Sequence, residues 1–152
     1  MPTIHDDERE IYRSIVRFAR AMDERDWAEI ETIAAEDMEA DLGTGMLRSR
    51  SEMIALTRTF LDDCGPTQHM VGNVLIDVDG DTARSRAYVA DMHLGTGELE
   101  GRFFRTIGDY HDEWRRTVDG WRMVRRSKHN RGHLGDYAVL GPGPSDWSAP
   151  QD

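Results

Sequence analysis

Cysteine is nearly absent: Cys64 is the only one in 152 residues, so no intramolecular disulfide can form and a reducing compartment is the natural fit. Nor is there an apolar run near the roughly 20 residues that a membrane helix needs. Met1 to Glu10 is polar and acidic rather than a basic stretch leading into an apolar one, so no signal peptide is expected and the expected location is cytoplasmic. Basic charge is in deficit. With 19 Lys and Arg against 29 Asp and Glu the net charge is −10, which opposes nonspecific binding to nucleic acid. The sequence shows no internal repeat, no glycine-rich phosphate loop and no zinc spacing. What these absences leave is one globular domain with a single core, 38% hydrophobic and 32% charged.

The charge is unevenly spread. Residues 1–41 carry a net −8, whereas residues 115–131 carry seven basic side chains and one acid, Asp119. Trp121 is the only aromatic in that basic run, so mutual attraction within the fold or between subunits is a better reading than an RNA-binding stripe.

Asp7-x-x-Glu10 offers a capping box for a helix over about 7–23, with Ile11, Ile15, Phe18, Ala19 and Met22 at helical spacing. Asp26-Trp27-Ala28-Glu29 starts a short second helix with Trp27, Ile30, Ile33 and Ala34 on its apolar face. Asp37 to Leu42 alternates as a short strand closed by Gly43-Thr44-Gly45. Ser49-x-x-Glu52 opens a third helix that ends at Gly65-Pro66, where Cys64 has no activating neighbour and reads as inert. From there the periodicity changes to strands, over 67–78, 82–94, about 99–116 and 121–130, with turns at Asp79-Gly80-Asp81, Gly95-Thr96-Gly97 and Val118-Asp119-Gly120. Gly101 or Gly108 is available for a bulge in the third of these strands. The class is α+β, with helices on one face of a curved, mostly antiparallel sheet.

Thr67 to Asp77 is the informative stretch. Strict alternation puts His69, Val71, Asn73 and Leu75 on one face and Met70, Gly72, Val74 and Ile76 on the other, as in a strand covered on both sides. An imidazole and an amide on a buried face cost a few kcal/mol unless they find partners or line a cavity, and two of them favour the cavity. On the next strand Ala83, Ser85, Ala87 and Val89 share a face with Asp91 and His93, and these small side chains leave space beside it.

Four segments carry a resemblance to a known family: Met22 to Trp27, Thr67 to Asn73, Gly108 to Asp112, and Asp119 to Arg126. Over about residues 7–131 the chain resembles the nuclear-transport-factor-like cone fold, in the branch holding scytalone dehydratase, hexachlorocyclohexane dehydrochlorinase, bile-acid dehydratases and small polyketide cyclases. The resemblance implies a cone with an internal pocket over residues 1–132, and a homo-oligomer, by preference a trimer, with Trp121 and its neighbours available to cover the outer sheet face. It implies that Asp23 and His69 form a catalytic dyad, the carboxylate holding one imidazole nitrogen as N–H so that the other serves as general base. Where several relatives have a tyrosine or lysine five residues before the aspartate, this chain has Phe18, and where scytalone dehydratase has a tyrosine it has Leu42.

The substrate-contacting candidates are therefore Phe18, Trp27, Asn73, Tyr88, Asp91, Tyr110 and Arg126, with His93 a further polar group; Tyr110 and Arg126 read equally well as structural. No metal ligand set is expected. The implied activity is a cofactor-independent lyase, a dehydratase or related β-elimination enzyme, acting on a small, largely apolar cyclic molecule. An isomerase or aldol-type cyclase on a polyketide- or steroid-like ligand, and a non-catalytic ligand-binding or structural subunit, are the alternatives. Residues 133–152, with Leu134, Tyr137, Val139, Leu140 and Trp147 around Gly141 to Pro144, read as a tail that acts as a lid or an intersubunit arm.

Overall fold

The computed structural model describes residues 1–151. Helices α1 (Ile4–Glu24), α2 (Trp27–Ile33) and α3 (Arg50–Leu61) pack against a sheet of six strands: β1 (Ala34–Asp41), β2 (Met46–Leu47), β3 (Thr67–Asp79), β4 (Thr82–Leu94), β5 (Phe103–Thr117) and β6 (Gly120–Gly135). The sheet is open, in the order β2-β1-β6-β5-β4-β3, and every neighbouring pair is antiparallel except β1 with β6. This is the α+β class expected from the sequence, with one parallel pair added.

Two helix starts follow the local capping pattern: the Asp26 side chain accepts from Glu29 N–H, and that of Ser49 from Glu52 N–H. The first does not. Helix α1 starts a turn earlier than expected, with Thr3 and Asp6 forming the reciprocal box. Asp7 is thereby released from capping and is buried, accepting two bonds of 2.8 Å from Arg116 and one of 3.0 Å from Trp121 Nε1. The acidic N-terminal segment and the basic late segment thus meet within one fold, helped by an exposed Arg115–Asp37 pair. Trp121 is a core residue, 1% exposed, rather than part of an outer face, because its indole N–H has this buried carboxylate to bond.

Ile11, Ile15, Phe18, Ile30, Ile33, Met38, Met53, Trp114 and Met123 fill the space between helices and sheet. Each such side chain contributes about 1.5–3 kcal/mol by leaving water. On the opposite face Met70, Leu75, Tyr88 and Ile107 are exposed, so β3 is covered on one side within this chain, not two.

Bulges in the antiparallel ladders curve the sheet. One extra residue sits in β3 between Gly72 and Leu75, and one each in β6 at the steps facing Ile107/Gly108 and Glu113/Trp114. An inserted residue bends a strand and inverts its in–out alternation beyond that point. Both extra residues of the β5–β6 pair lie on β6, so Gly108 faces a bulge rather than forming one.

Strand β6 runs to Gly135, five residues past the expected end, so the expected 132/133 boundary falls inside a paired strand. Beyond a short 3₁₀ turn at Tyr137–Val139, Gly141 N–H donates to Phe60 O at 2.8 Å. A Cβ at Gly141 would collide with Thr59 O, which is why only glycine lets the chain approach α3 so closely.

Candidate active site

The site is built where α1 ends. Arg25 adopts the left-handed conformation (φ 57°) that stops the helix, and its guanidinium donates to the carbonyls of Met22 (2.7 Å), Leu61 (2.9 Å) and Gly65 (3.0 Å) and to Thr67 Oγ1 (2.8 Å). One side chain therefore ties the end of α1, the end of α3 and the start of β3 together. Asp23, in the last turn of α1, is held against the first residues of β3. It accepts from Thr67 Oγ1 (2.9 Å), from His69 backbone N–H (2.9 Å) and from His69 Nδ1 (2.7 Å).

Burial would raise the Asp23 carboxyl, but hydrogen bonds from the His69 ring and backbone, with Thr67, outweigh it and leave it below the usual carboxylate range. An ionised carboxylate can only accept. Nδ1 of His69 must then carry a proton, which in the neutral imidazole leaves the lone pair on Nε2. The His69 side chain is 6% exposed and forms part of the wall of a cavity of about 240 Å³.

Phe18, Met22, Leu42, Met53, Leu56 and Leu61 form the apolar part of that cavity, so Phe18 and Leu42 supply apolar surface and no proton donor. A polar wall comes from β4, β5 and β6. Asp91, 3% exposed, accepts from Thr106 N–H (2.7 Å), Thr106 Oγ1 (2.6 Å) and Lys128 Nζ (2.8 Å). Burial would raise this carboxyl, and the Lys128 charge and hydrogen bonds more than reverse that. His93 donates from Nδ1 to Phe104 O at 3.2 Å; burial, opposed by the Asp91 charge and aided by His69, pushes its pKa down to about 4, so it is neutral at pH 7. Its ring stands edge-on to that of His69, with centroids 5.4 Å apart.

Arg126, 2% exposed, makes two 2.8 Å bonds to Asp112, and its guanidinium lies over Tyr110 (3.9 Å) and Phe18 (4.4 Å). Burial raises the Tyr110 phenol, so it stays protonated. Tyr137, Leu140, Trp147 and Pro150 complete the lining, with Trp147 edge-on to Phe60 at 4.9 Å. Cys64 lies outside the cavity lining and burial raises its thiol, in keeping with the inert reading.

Of the sequence candidates, Asp23, His69, Phe18, Asp91, His93, Tyr110 and Arg126 come together here, and three do not. Asn73 is exposed: it is the bulge residue of β3, at φ 50°, and the inserted position turns Val74, Ile76 and Val78 inward in place of Asn73 and Leu75. Tyr88 faces outward with Arg131 over its ring (4.9 Å), as its alternation opposite Ala87 and Val89 requires. Trp27 sits half-buried at the start of α2 beneath Arg58, where the Asp26 cap places it at the edge of the core rather than in the cavity. Thr106, Lys128 and Asn130 were missed. In β6 Trp121 and Met123 point inward, and after the bulge at Val124 so do Arg126, Lys128 and Asn130. The even numbers become interior through an insertion that no residue type announces.

Residues 4–127 match the family described as the SnoaL-like domain. An uncharacterized protein of Mycobacterium tuberculosis, Rv2910c, is 30% identical over 122 residues, covering 79% of this chain and 82% of the relative. Among solved structures, the Kfla4162 protein of Kribbella flavida superposes with a TM-score of 0.83 at 20% identity, covering 90% of this chain and 98% of its own. A scytalone dehydratase-like protein of Novosphingobium aromaticivorans gives 0.73 at 22% identity over 93% and 95% of the two chains. A type 2 hexachlorocyclohexane dehydrochlorinase gives 0.73 at 15% identity over 94% and 95%.

Proposed function

We propose, for a chain that belongs to the SnoaL-like family of the nuclear-transport-factor-like superfamily, one that includes dehydratases and cyclases, that it is a cofactor-independent lyase eliminating water or a similar group from a small, largely apolar cyclic substrate. The observation that carries this reading is the 2.7 Å contact of His69 Nδ1 with Asp23 beside an open cavity. A purely structural subunit has no use for a carboxylate-oriented imidazole facing empty space, and would fill the cavity with side chains. About 150 Å³ suffices for a benzene ring, so 240 Å³ takes one ring or a fused pair.

In this reading His69 Nε2 removes a carbon-bound proton, worth about 10²–10⁴ in rate. Asp23 holds the ring and stabilises the imidazolium that forms. Trp147 and the C-terminal segment, which line the cavity, shield it from water.

The test is a panel of cyclic β-hydroxy ketones incubated with the protein, loss of water being read by mass, with His69→Gln as control. Turnover by the wild type that the variant lacks is the expected result. Equal turnover by His69→Gln would overturn the assignment of the base.

A further inference from the structure

A base that takes a proton from carbon leaves negative charge behind, and the cavity should hold a cation donor for the atom that receives it. Arg126 is less well placed for this: Asp112 holds its Nε and Nη2, and Phe18 and Tyr110 lie against its guanidinium, so only Nη1 is left uncommitted. Asn73 lies outside the cavity. Lys128 remains.

Its ammonium has three N–H donors; one goes to Asp91 Oδ2 at 2.8 Å and a second to Thr106 Oγ1 at 3.0 Å. Thr106 in turn gives its own hydroxyl proton to Asp91, so the three groups lock one another's orientation. That leaves one N–H of a side chain that lines the cavity and is 16% exposed. The cluster also lies on the same wall as the base. His69 stacks edge-on against His93, His93 Nδ1 is 3.6 Å from Asp91 Oδ1, and Asp91 holds Lys128.

We infer that Lys128, oriented by Asp91 and Thr106, is the residue that binds the substrate's carbonyl oxygen and stabilises it as an oxyanion. The substrate is thereby assigned to the cyclic carbonyl compounds whose acidic C–H is adjacent to that carbonyl. A free carboxylate is a poorer fit, since Asp91 already balances the ammonium and one remaining N–H serves one acceptor. A neutral carbonyl that acquires charge fits the arrangement.

The inference rests on the proposed role of His69, whose Nε2 takes the α-proton while the C–H electron pair moves onto the carbonyl oxygen at Lys128 Nζ. That enolate collapses, the C=O re-forms, and the bond to the β-hydroxyl breaks. The imidazolium returns its proton to the departing hydroxide, giving water and an α,β-unsaturated carbonyl with the enzyme unchanged.

The probe is 4-nitrophenol, a ring-borne oxygen whose ionisation is read directly from its absorbance. Removing Lys128 alone strands a buried carboxylate, so the main variant is the double change Lys128→Met with Asp91→Asn, beside Lys128→Arg and His69→Gln. The wild type is expected to bind the probe with its apparent pKa lowered by about one unit, a tenfold preference for the anion. That lowering should persist in His69→Gln, survive largely in Lys128→Arg and vanish in the double variant.

With any β-hydroxy ketone that the wild type dehydrates, the double variant should lose about 10²–10³ in kcat. A folded double variant that ionises the probe as the wild type does, or a wild type that neither binds nor ionises it, overturns the inference. Full turnover by His69→Gln removes the proposed base instead, and leaves the probe result to judge Lys128 by itself.

Discussion

Replacing Asp23 by asparagine keeps the shape of the side chain and removes its ability to accept on both oxygens. Three donors converge on this carboxylate: Thr67 Oγ1, His69 N–H and His69 Nδ1–H. A carboxamide has one acceptor and one donor end. If its oxygen faces the ring, its NH₂ meets the His69 backbone N–H, and a buried donor left unsatisfied costs about 1–3 kcal/mol. With the amide turned the other way, the NH₂ meets Nδ1. The backbone cannot move its proton, whereas the imidazole can transfer its own to Nε2. The second arrangement therefore wins, and Nε2, the atom needed as base, becomes a donor.

The expected outcome is a protein destabilised by no more than about 1–3 kcal/mol whose turnover has fallen by about 10⁴, the scale seen when an orienting carboxylate of a serine-protease triad is amidated. Urea unfolding measures the first and steady-state kinetics the second. Nitrogen-15 shifts of the His69 ring report which nitrogen carries the proton. An Asp23→Asn protein that keeps the Nδ1–H tautomer, or that works within about tenfold of the wild type, refutes the reasoning.

Asn73 should tolerate glycine with little change in stability, because its φ of 50° is left-handed, whereas Asn73→Val should cost about 1–2 kcal/mol. Both should leave turnover unaltered, and lost turnover in Asn73→Gly would return that residue to the site. Asp7, held at about 2 by its hydrogen bonds from Arg116 and Trp121, contributes stability that is fully present above the ordinary carboxylate value and is lost as pH falls from about 4 towards 2. Arg116 is 32% exposed, so screening holds the contribution to about 1 kcal/mol. The urea midpoint of Asp7→Asn should trail the wild type by a constant amount above about pH 5 and converge with it only as the pH approaches about 2, and a gap independent of pH would exclude the mechanism. Truncation after Leu140 removes the Trp147–Phe60 contact and should raise KM with an unchanged melting transition; unaltered kinetics would show that the segment is no lid.

Local chemistry alone determined several elements. Asp26 and Ser49 mark their helix starts because a capping side chain acts within three residues of itself. The β3–β4 hairpin closes at Gly80, and β4 keeps strict alternation from Ala83 to His93, so its inner face could be read directly. The pairing of Asp23 with His69 was legible only through resemblance, since Asp23 in its charged run looks like a solvated residue. Contacts distant in sequence decided the rest. Thr3 and Asp6 cap α1, and Asp7 is buried because Arg116 and Trp121 arrive from more than a hundred residues away. The bulges in β3 and β6 are set by how the curved sheet must fit its neighbours, and each exchanges inside for outside along the strand that carries it. That exchange expelled Asn73 and brought Lys128 to the cavity: a period of two is a property of one strand, while its phase belongs to the whole sheet.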